Sequence, residues 1–180
     1  MAWIGPEIQD LVRVLLQVEK LPKGFVQEVD ERLDHHGNVL KPLNEKSATR
    51  AARWFRKRGI QSVAICLLHS YVNSDHEQRV GAILAAALPG LAITLSSDVS
   101  PEIREYERWS TAVANAYIQP LMSSYLGRLE QALVKMGFDC PLCLMTSGGG
   151  LAALETARRF PIRLVESGPA GGAILAARLA

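Results

Sequence analysis

Ser62 to Leu95, SVAICLLHSYVNSDHEQRVGAILAAALPGLAITL, holds two short apolar runs on either side of a segment with helical periodicity. The first run, Ser62 to Leu68, is nearly continuous and carries β-branched members, as expected of a strand covered on both faces. Ser74-Asp75-His76-Glu77 has the spacing of a capping box. Val80, Ile83, Leu84, Ala87 and Leu88 then repeat as the buried stripe of a helix, and Pro89-Gly90 stops it. Ala92 to Leu95 reads as the next strand. Strand, helix and strand in this order predict a layered α/β unit with a largely parallel core.

Toward the N-terminus, Ile8, Leu11, Val12, Leu15 and Leu16 predict a helix over 7–18, ended by Pro22 and Gly24. Phe25 to Leu33 alternates like a half-buried strand, Asp34-His35-His36-Gly37 supplies turn chemistry, and Val39-Leu40 resumes the extended pattern. An antiparallel hairpin follows. Asn44 is placed to cap a helix with Ala48, Ala51, Ala52 and Phe55 on one face and Gly59 beyond its end. The basic cluster Arg53, Arg56, Lys57 and Arg58 falls in its last turns, where the helix dipole favours cations without any ligand.

Toward the C-terminus, Ser100 as cap, Pro101 at the first helical position and Glu102 predict that SPEIREYER opens a helix running to Tyr117. Pro120 is expected to break or kink it, which sets a soft boundary between regions 1–119 and 120–180. Met122, Tyr125, Leu126, Leu129, Leu133 and Met136 then form one apolar stripe ending at Gly137. Leu142 to Met145 reads as a strand, Leu154 to Phe160 as a short helix, Ile162 to Val165 as a strand and Ala173 to Ala180 as the start of a helix.

A hydrophobic fraction of 48% with 21% charged residues places the chain among ordinary globular proteins. The net charge of +2 gives no reason to expect nucleic acid or an anionic membrane as partner. The most apolar stretch, Val80 to Leu95, is interrupted by Pro89-Gly90 and falls short of the ~20 residues a spanning helix needs. With no basic leader and cleavage pattern, the expectation is a cytosolic protein. Three cysteines give no disulfide framework. Cys140 and Cys143 form a C-x-x-C without the second pair of a structural zinc site, so they read as apolar strand residues. His35, His36 and His76 read as exposed, and His69 as the end of the Ser62–Leu68 strand, where groups of α/β sites emerge. No metal-ligand spacing is found.

Three segments could carry chemistry. Ser147-Gly148-Gly149-Gly150 and Ser167-Gly168-Pro169-Ala170-Gly171-Gly172 each follow a predicted strand. Loops without β-carbons let backbone N–H groups approach an anion, although tight packing alone also selects glycine there. Neither is a Walker A loop or a dinucleotide fingerprint. The third is Ser100 to Arg108, whose alternating charges make Arg104, Glu105 and Arg108 candidates for a cleft. Spacing alone favours a solvated face laced with ion pairs.

Taken together, Phe25-Val-Gln-Glu-Val-Asp-Glu-Arg32 with Gly37-Asn-Val-Leu-Lys-Pro-Leu43, Ala64-Ile-Cys-Leu-Leu-His-Ser-Tyr71 with His76-Glu-Gln-Arg79, Ser100 to Arg108 with Asn115-Ala-Tyr117, Met145-Thr-Ser-Gly-Gly-Gly-Leu151 and Glu166-Ser-Gly-Pro-Ala-Gly-Gly172 resemble successive motifs of the hydantoinase A / 5-oxoprolinase family, in the family's order. The resemblance covers about residues 25 to 180. It implies a ribonuclease H-like, actin-like ATPase fold in part, with the end of an N-terminal domain over 1–119 and the start of an ATPase domain over 120–180. It also implies ATP and Mg as cofactors, used to phosphorylate a cyclic amide of the hydantoin or 5-oxoproline type before hydrolysis. The alternatives are a ketone carboxylase subunit acting on a small carbonyl compound and a non-catalytic assembly module. Partners would be the remainder of a longer enzyme and a hydantoinase B-type subunit. Ser147, Gly148, Gly149, Gly150, Ser167, Gly168, Gly171 and Gly172 would lie beside the nucleotide, or the second segment would serve as an interdomain hinge. The family's two Asp-x-Gly-Gly-Thr loops are absent, so the resemblance implies an internal piece that turns over no ATP by itself.

Overall fold

The computed structural model describes residues 25–179, which divide into two compact units between Tyr117 and Ile118. The helix expected over 7–18 lies outside the described residues. In the first unit, β1 (Arg32–Leu33) pairs antiparallel with β2 (Val39–Lys41). Asp34 closes this hairpin: Oδ1 accepts from the backbone N–H groups of His36 and Asn38 at 2.8 and 2.9 Å, and Oδ2 accepts from the Asn38 side chain. Gly37 sits at φ +83°, and a β-carbon there would come within 2.9 Å of Val72 Cγ1.

Only Arg32–Leu33 of the expected Phe25–Leu33 strand enters a ladder. The residues just before it are fixed by side chains instead. Asp30 N–H donates to Ser47 Oγ and Asp30 pairs with Lys41, while Glu31 pairs with His76.

Helix α1 (Glu45–Lys57) begins at Asn44, whose side chain accepts from Lys46 N–H, and buries Ala48, Ala51, Ala52 and Phe55. Its basic end is occupied locally. Arg56 donates to the Ala87 carbonyl, and the Arg58 guanidinium lies 3.8 Å over the Trp54 ring. Strands β3 (Ser62–Ile65) and β4 (Ala92–Leu95) run parallel in register Ser62↔Ala92 to Ile65↔Leu95, joined through α2 (Asp75–Ala87). The core lies between α1, α2 and β3: Ala48, Ala51, Ala52 and Phe55 meet Ile65, Val80 and Leu84. Small residues on α1 and Gly81 on α2 allow this approach, since a β-carbon at Gly81 would stand 3.2 Å from Leu95.

The expected capping box does not form. Ser74 makes no side-chain cap bond, and Glu77 turns inward to other elements. The helix expected from Ser100 starts later. A short α3 (Ser96–Val99) follows β4 directly, and α4 (Glu105–Lys135) begins at Glu105.

Helix α4 also runs through Pro120 without a break. Proline has no N–H for the carbonyl four residues back, which is that of Ala116. The Ser62 hydroxyl donates to that carbonyl at 2.6 Å and so replaces the missing helical bond.

In the second unit, β5 (Cys143–Met145) and β6 (Leu151–Ala153) form an antiparallel hairpin, followed by α5 (Leu154–Arg159). Leu126, Leu154 and Ala157 are its core, with Met122, Leu129, Leu142, Leu144 and Leu164 against them. Tyr125 and Met136, expected in the buried stripe, are exposed. Residues Pro161–Leu164 form a 3-10 turn where Ile162–Val165 had been expected as a strand. No strand among the described residues pairs with that segment, and Pro161 at its start suits a helical turn. The final helix, α6, spans Ser167–Leu179. No helix among the described residues is long and apolar enough to cross a membrane.

Candidate functional site

Parallel strands deliver their loops to one edge, and the carboxyl edge of β3 and β4 is where polar side chains concentrate. The fully buried Glu77 of α2 is the centre of this cluster. Its Oε1 accepts from Leu67 N–H at 2.8 Å and from the Ser96 hydroxyl at 2.6 Å. Its Oε2 accepts from the N–H and hydroxyl of Ser97 at 2.9 and 2.8 Å. One carboxylate therefore ties the loop after β3 to the loop after β4. Ser70 Oγ lies 3.2 Å from Ser96 Oγ and extends the network.

Arg108 enters from α4 and is fully buried, which corrects the reading of its segment as a solvated face. Its guanidinium donates to Ser96 Oγ, the Leu67 carbonyl, the Glu102 carbonyl and Glu105, and stands 5.3 Å from the Tyr71 ring centre. The stripe Arg108, Ala112, Asn115 and Ala116 recurs at helical spacing and is buried throughout. Asn115 continues it by donating to Thr94 on β4 at 3.1 Å. Of the other two candidates, Arg104 is exposed and pairs with Glu107 at 3.7 Å, so the surface reading holds for it. Glu105 lies between surface and network. Partial burial works to raise its carboxyl, but its own N–H, the His69 N–H and Arg108 outweigh this and hold it below the ordinary value. A lowered carboxyl stabilises the fold above its unfolded value, and that contribution is lost as pH falls through the folded one.

His69 is not the end of β3, which stops at Ile65, but lies four residues on in a turn at φ +58°. Its Nδ1 is 3.8 Å from Glu105 Oε1. His76, expected to be exposed, is largely buried with Nδ1 2.7 Å from Glu31 Oε2. Sequence reasoning missed Glu77, Ser96 and Ser97 because their bonds connect distant segments. The adjacent hydroxyls closing an apolar strand, and an arginine on an otherwise small-residue helix stripe, were the available signals.

The glycine segments lie in the second unit. Ser147 to Gly150 is the turn of the β5–β6 hairpin, in which Ser147 N–H donates to the Arg163 carbonyl and Gly149 N–H to the Thr146 carbonyl. Both bonds lie within the second unit and fix the turn in place. The second segment is not a loop. Ser167 to Gly172 forms the beginning of α6, so Ser167 and Gly168 stand at a helix N-terminus while Gly171 and Gly172 lie within the helix. The structure brings the two segments together: a β-carbon at Gly149 would fall 2.7 Å from Ile174 Cδ1, and one at Gly171 would fall 2.7 Å from Met145 Sδ. At Gly148 and Gly168 an added β-carbon meets nothing within 4 Å, so these positions face open space.

Cys140 and Cys143 are both free and exposed, a correction to their reading as apolar strand residues. The three-residue β5 has no second layer over Cys143. Cys66 differs: burial, and the Glu77 carboxylate beside it, push its thiol well above the ordinary range against a smaller opposing influence of Arg108. Titration with a disulfide reagent at pH 8 is therefore expected to count two fast thiols per native chain and a third only after denaturation. Three fast thiols would contradict this packing. Among the described residues, no group of three His, Cys, Asp or Glu side chains could hold a metal ion.

Residues 7–88 match the family model for the hydantoinase/oxoprolinase N-terminal region, and residues 108–180 match that for hydantoinase/oxoprolinase. The chain is 35% identical over 150 residues to the caprolactamase alpha subunit of Pseudomonas jessenii, covering 83% of this chain and 22% of that protein. The crystal structure of ATP-dependent caprolactamase from that organism aligns with a TM-score of 0.78 at 36% identity, over 83% of this chain and 22% of that one. The nucleotide-free structure of acetone carboxylase aligns with a TM-score of 0.74 at 29% identity, over 84% of this chain and 22% of that one. The chain thus spans about a fifth of the length of these relatives.

Proposed function

Because the chain belongs to the hydantoinase/oxoprolinase family, we propose that it forms part of the nucleotide-handling side of an ATP-dependent enzyme that phosphorylates a cyclic amide before opening it. The observation that carries this reading is the junction of the two glycine segments. Close packing of Gly149 on Ile174 and of Gly171 on Met145 holds the hairpin turn against α6, and the open space at Gly148 and Gly168 supports a phosphate lying beside Gly148, Gly150, Ser167 and Gly168. Backbone N–H groups at a turn and at a helix N-terminus complement an anion. An unstrained amide is a poor electrophile until its oxygen becomes a phosphate ester, and positioning plus charge stabilisation are what a protein supplies to such a transfer.

Magnesium would accompany ATP in the whole enzyme, and among the described residues no cluster of three His, Cys, Asp or Glu side chains stands ready to hold it. In this reading 1–119 belongs to an N-terminal domain and 120–180 to the start of an actin-like ATPase domain. The remainder of the enzyme and a second subunit would complete the site, as the subunit name of the caprolactamase relative suggests. A second reading, phosphorylation of a ketone before carboxylation, is supported by the alignment with acetone carboxylase.

Gly148→Asp tests the phosphate assignment. Its added side chain enters open space, so stability should change by no more than about 0.5 kcal/mol. A carboxylate among the phosphate-facing amides should weaken ATP binding by tenfold or more, about 1.4 kcal/mol. Equal affinity for ATP in both forms, measured by calorimetric titration, would reject the assignment. Steady-state assays of the isolated chain with Mg-ATP are expected to show no turnover.

A further inference from the structure

Two non-glycine residues adopt left-handed backbone conformations on either side of one spot in the first unit: His69 at φ +58° and Arg104 at φ +85°. Such strain persists only where the surroundings enforce it, and it gathers at functional positions. Here the His69 carbonyl accepts from Val72 and Asn73 N–H groups, and the Arg104 carbonyl accepts from Arg108 N–H. The imidazole that results has two different sides. Nδ1 is buried without a hydrogen bond, 3.8 Å from Glu105 Oε1, whereas the ring keeps 22% of its side-chain surface, leaving Nε2 as the nitrogen open to solvent.

Glu105 is itself held in place by Arg108, which is fully buried and bonded to the Leu67 and Glu102 carbonyls. A carboxylate behind one ring nitrogen, with the other nitrogen outward, is the arrangement that orients a histidine for proton transfer, and such contacts are often long before substrate binds. The groups next to the imidazole are Glu105 from α4 and Tyr71 from its own turn, with Arg108 bonded to Glu105 and stacked on Tyr71, and Glu77 of α2 behind Leu67 and Ser96.

We propose that His69 is a general acid–base residue that exchanges a proton, through Nε2, with a small neutral carbonyl compound bearing an acidic N–H or C–H next to its carbonyl, and that Glu105 is its positioning residue. In the step, neutral Nε2 takes the proton and the electron pair left behind delocalises onto the carbonyl oxygen. Glu105 balances the imidazolium, and return of a proton from Nε2 restores both partners. The substrate class rests on the cyclic-amide reading above, but the step requires no nucleotide.

The test is deuterium exchange at the ring C–H of hydantoin in deuterated buffer, followed by proton NMR with the full chain and no ATP. The wild-type chain should exceed His69→Asn by about 100-fold, the lower end of what a positioned base contributes. Asparagine tolerates the left-handed backbone, so this variant keeps the turn. Glu105→Gln should move the midpoint of the rate–pH profile to lower pH, which a merely structural role would not do. Equal rates for wild type and His69→Asn overturn the proposal, and an unmoved midpoint overturns the role of Glu105. Failure of ATP to bind at Gly148 would sink the nucleotide reading and leave this exchange unaffected.

Discussion

Replacing Glu77 with alanine is expected to destabilise the first unit by about 3–5 kcal/mol, because several buried donors lose one charged acceptor together. Four donors from three positions lose their acceptor at once: Leu67 N–H, the Ser96 hydroxyl, and both groups of Ser97. The Ser96 hydroxyl can turn to Ser70 Oγ, 3.2 Å away, but buried donors left unpaired carry their full desolvation cost. Against a total stability of roughly 5–15 kcal/mol, this moves the urea midpoint far down or leaves the unit unfolded. Glu77→Gln keeps the shape and one acceptor while setting an amide N–H₂ against a donor, so its cost should be smaller, about 1–3 kcal/mol. Trp54 and Trp109 report on this unit by fluorescence. A midpoint unchanged in the alanine variant would mean that the loops after β3 and β4 are held by packing alone.

Arg108→Met should cost a similar amount, about 3–5 kcal/mol, because the Leu67 and Glu102 carbonyls and Glu105 lose their shared donor inside the unit. Lysine does not rescue it fully. A single ammonium cannot reach what the guanidinium fork reaches, and a loss of about 1.5–3 kcal/mol is expected for Arg108→Lys. Glu77 and Arg108 do not touch but share Ser96 Oγ. The double variant Glu77→Gln with Arg108→Met should therefore be less destabilised than the sum of the singles. Additive losses in urea unfolding would show that Ser96 couples nothing.

The strand–helix–strand unit was legible because its signals are local. A continuous apolar run, a five-member stripe and the Pro89-Gly90 stop lie within Ser62 to Leu95, and Asn44 caps the helix it was expected to cap. What escaped was non-local. Ser74 and Glu77 have capping-box spacing, yet Glu77 found four donors in other elements that outweigh the one local bond it would have made. Pro120 would have broken an isolated helix. The Ser62 hydroxyl, 54 positions before Ala116, accommodates it by occupying the Ala116 carbonyl. Arg108 read as surface because charge at helical spacing usually is, although its neighbours on the stripe, Ala112 and Ala116, are small enough to sit under a sheet. Ile162 to Val165 had a strand's composition but no partner strand, and took a 3-10 turn. The glycine segments were legible as sequence, whereas their contact with each other, through Ile174 and Met145, was not.

The account turns on whether the Ser147–Gly150 turn and the start of α6 together receive phosphate. Backbone amide shifts of the isotopically labelled chain, recorded by NMR during titration with ATP to millimolar concentration, address this residue by residue. Saturable changes centred on Gly148, Gly150 and Gly168, with Gly59 and Gly90 of the first unit unmoved, are the predicted result. Changes centred instead on Glu105 and Arg108, or an unaltered spectrum throughout, would contradict it.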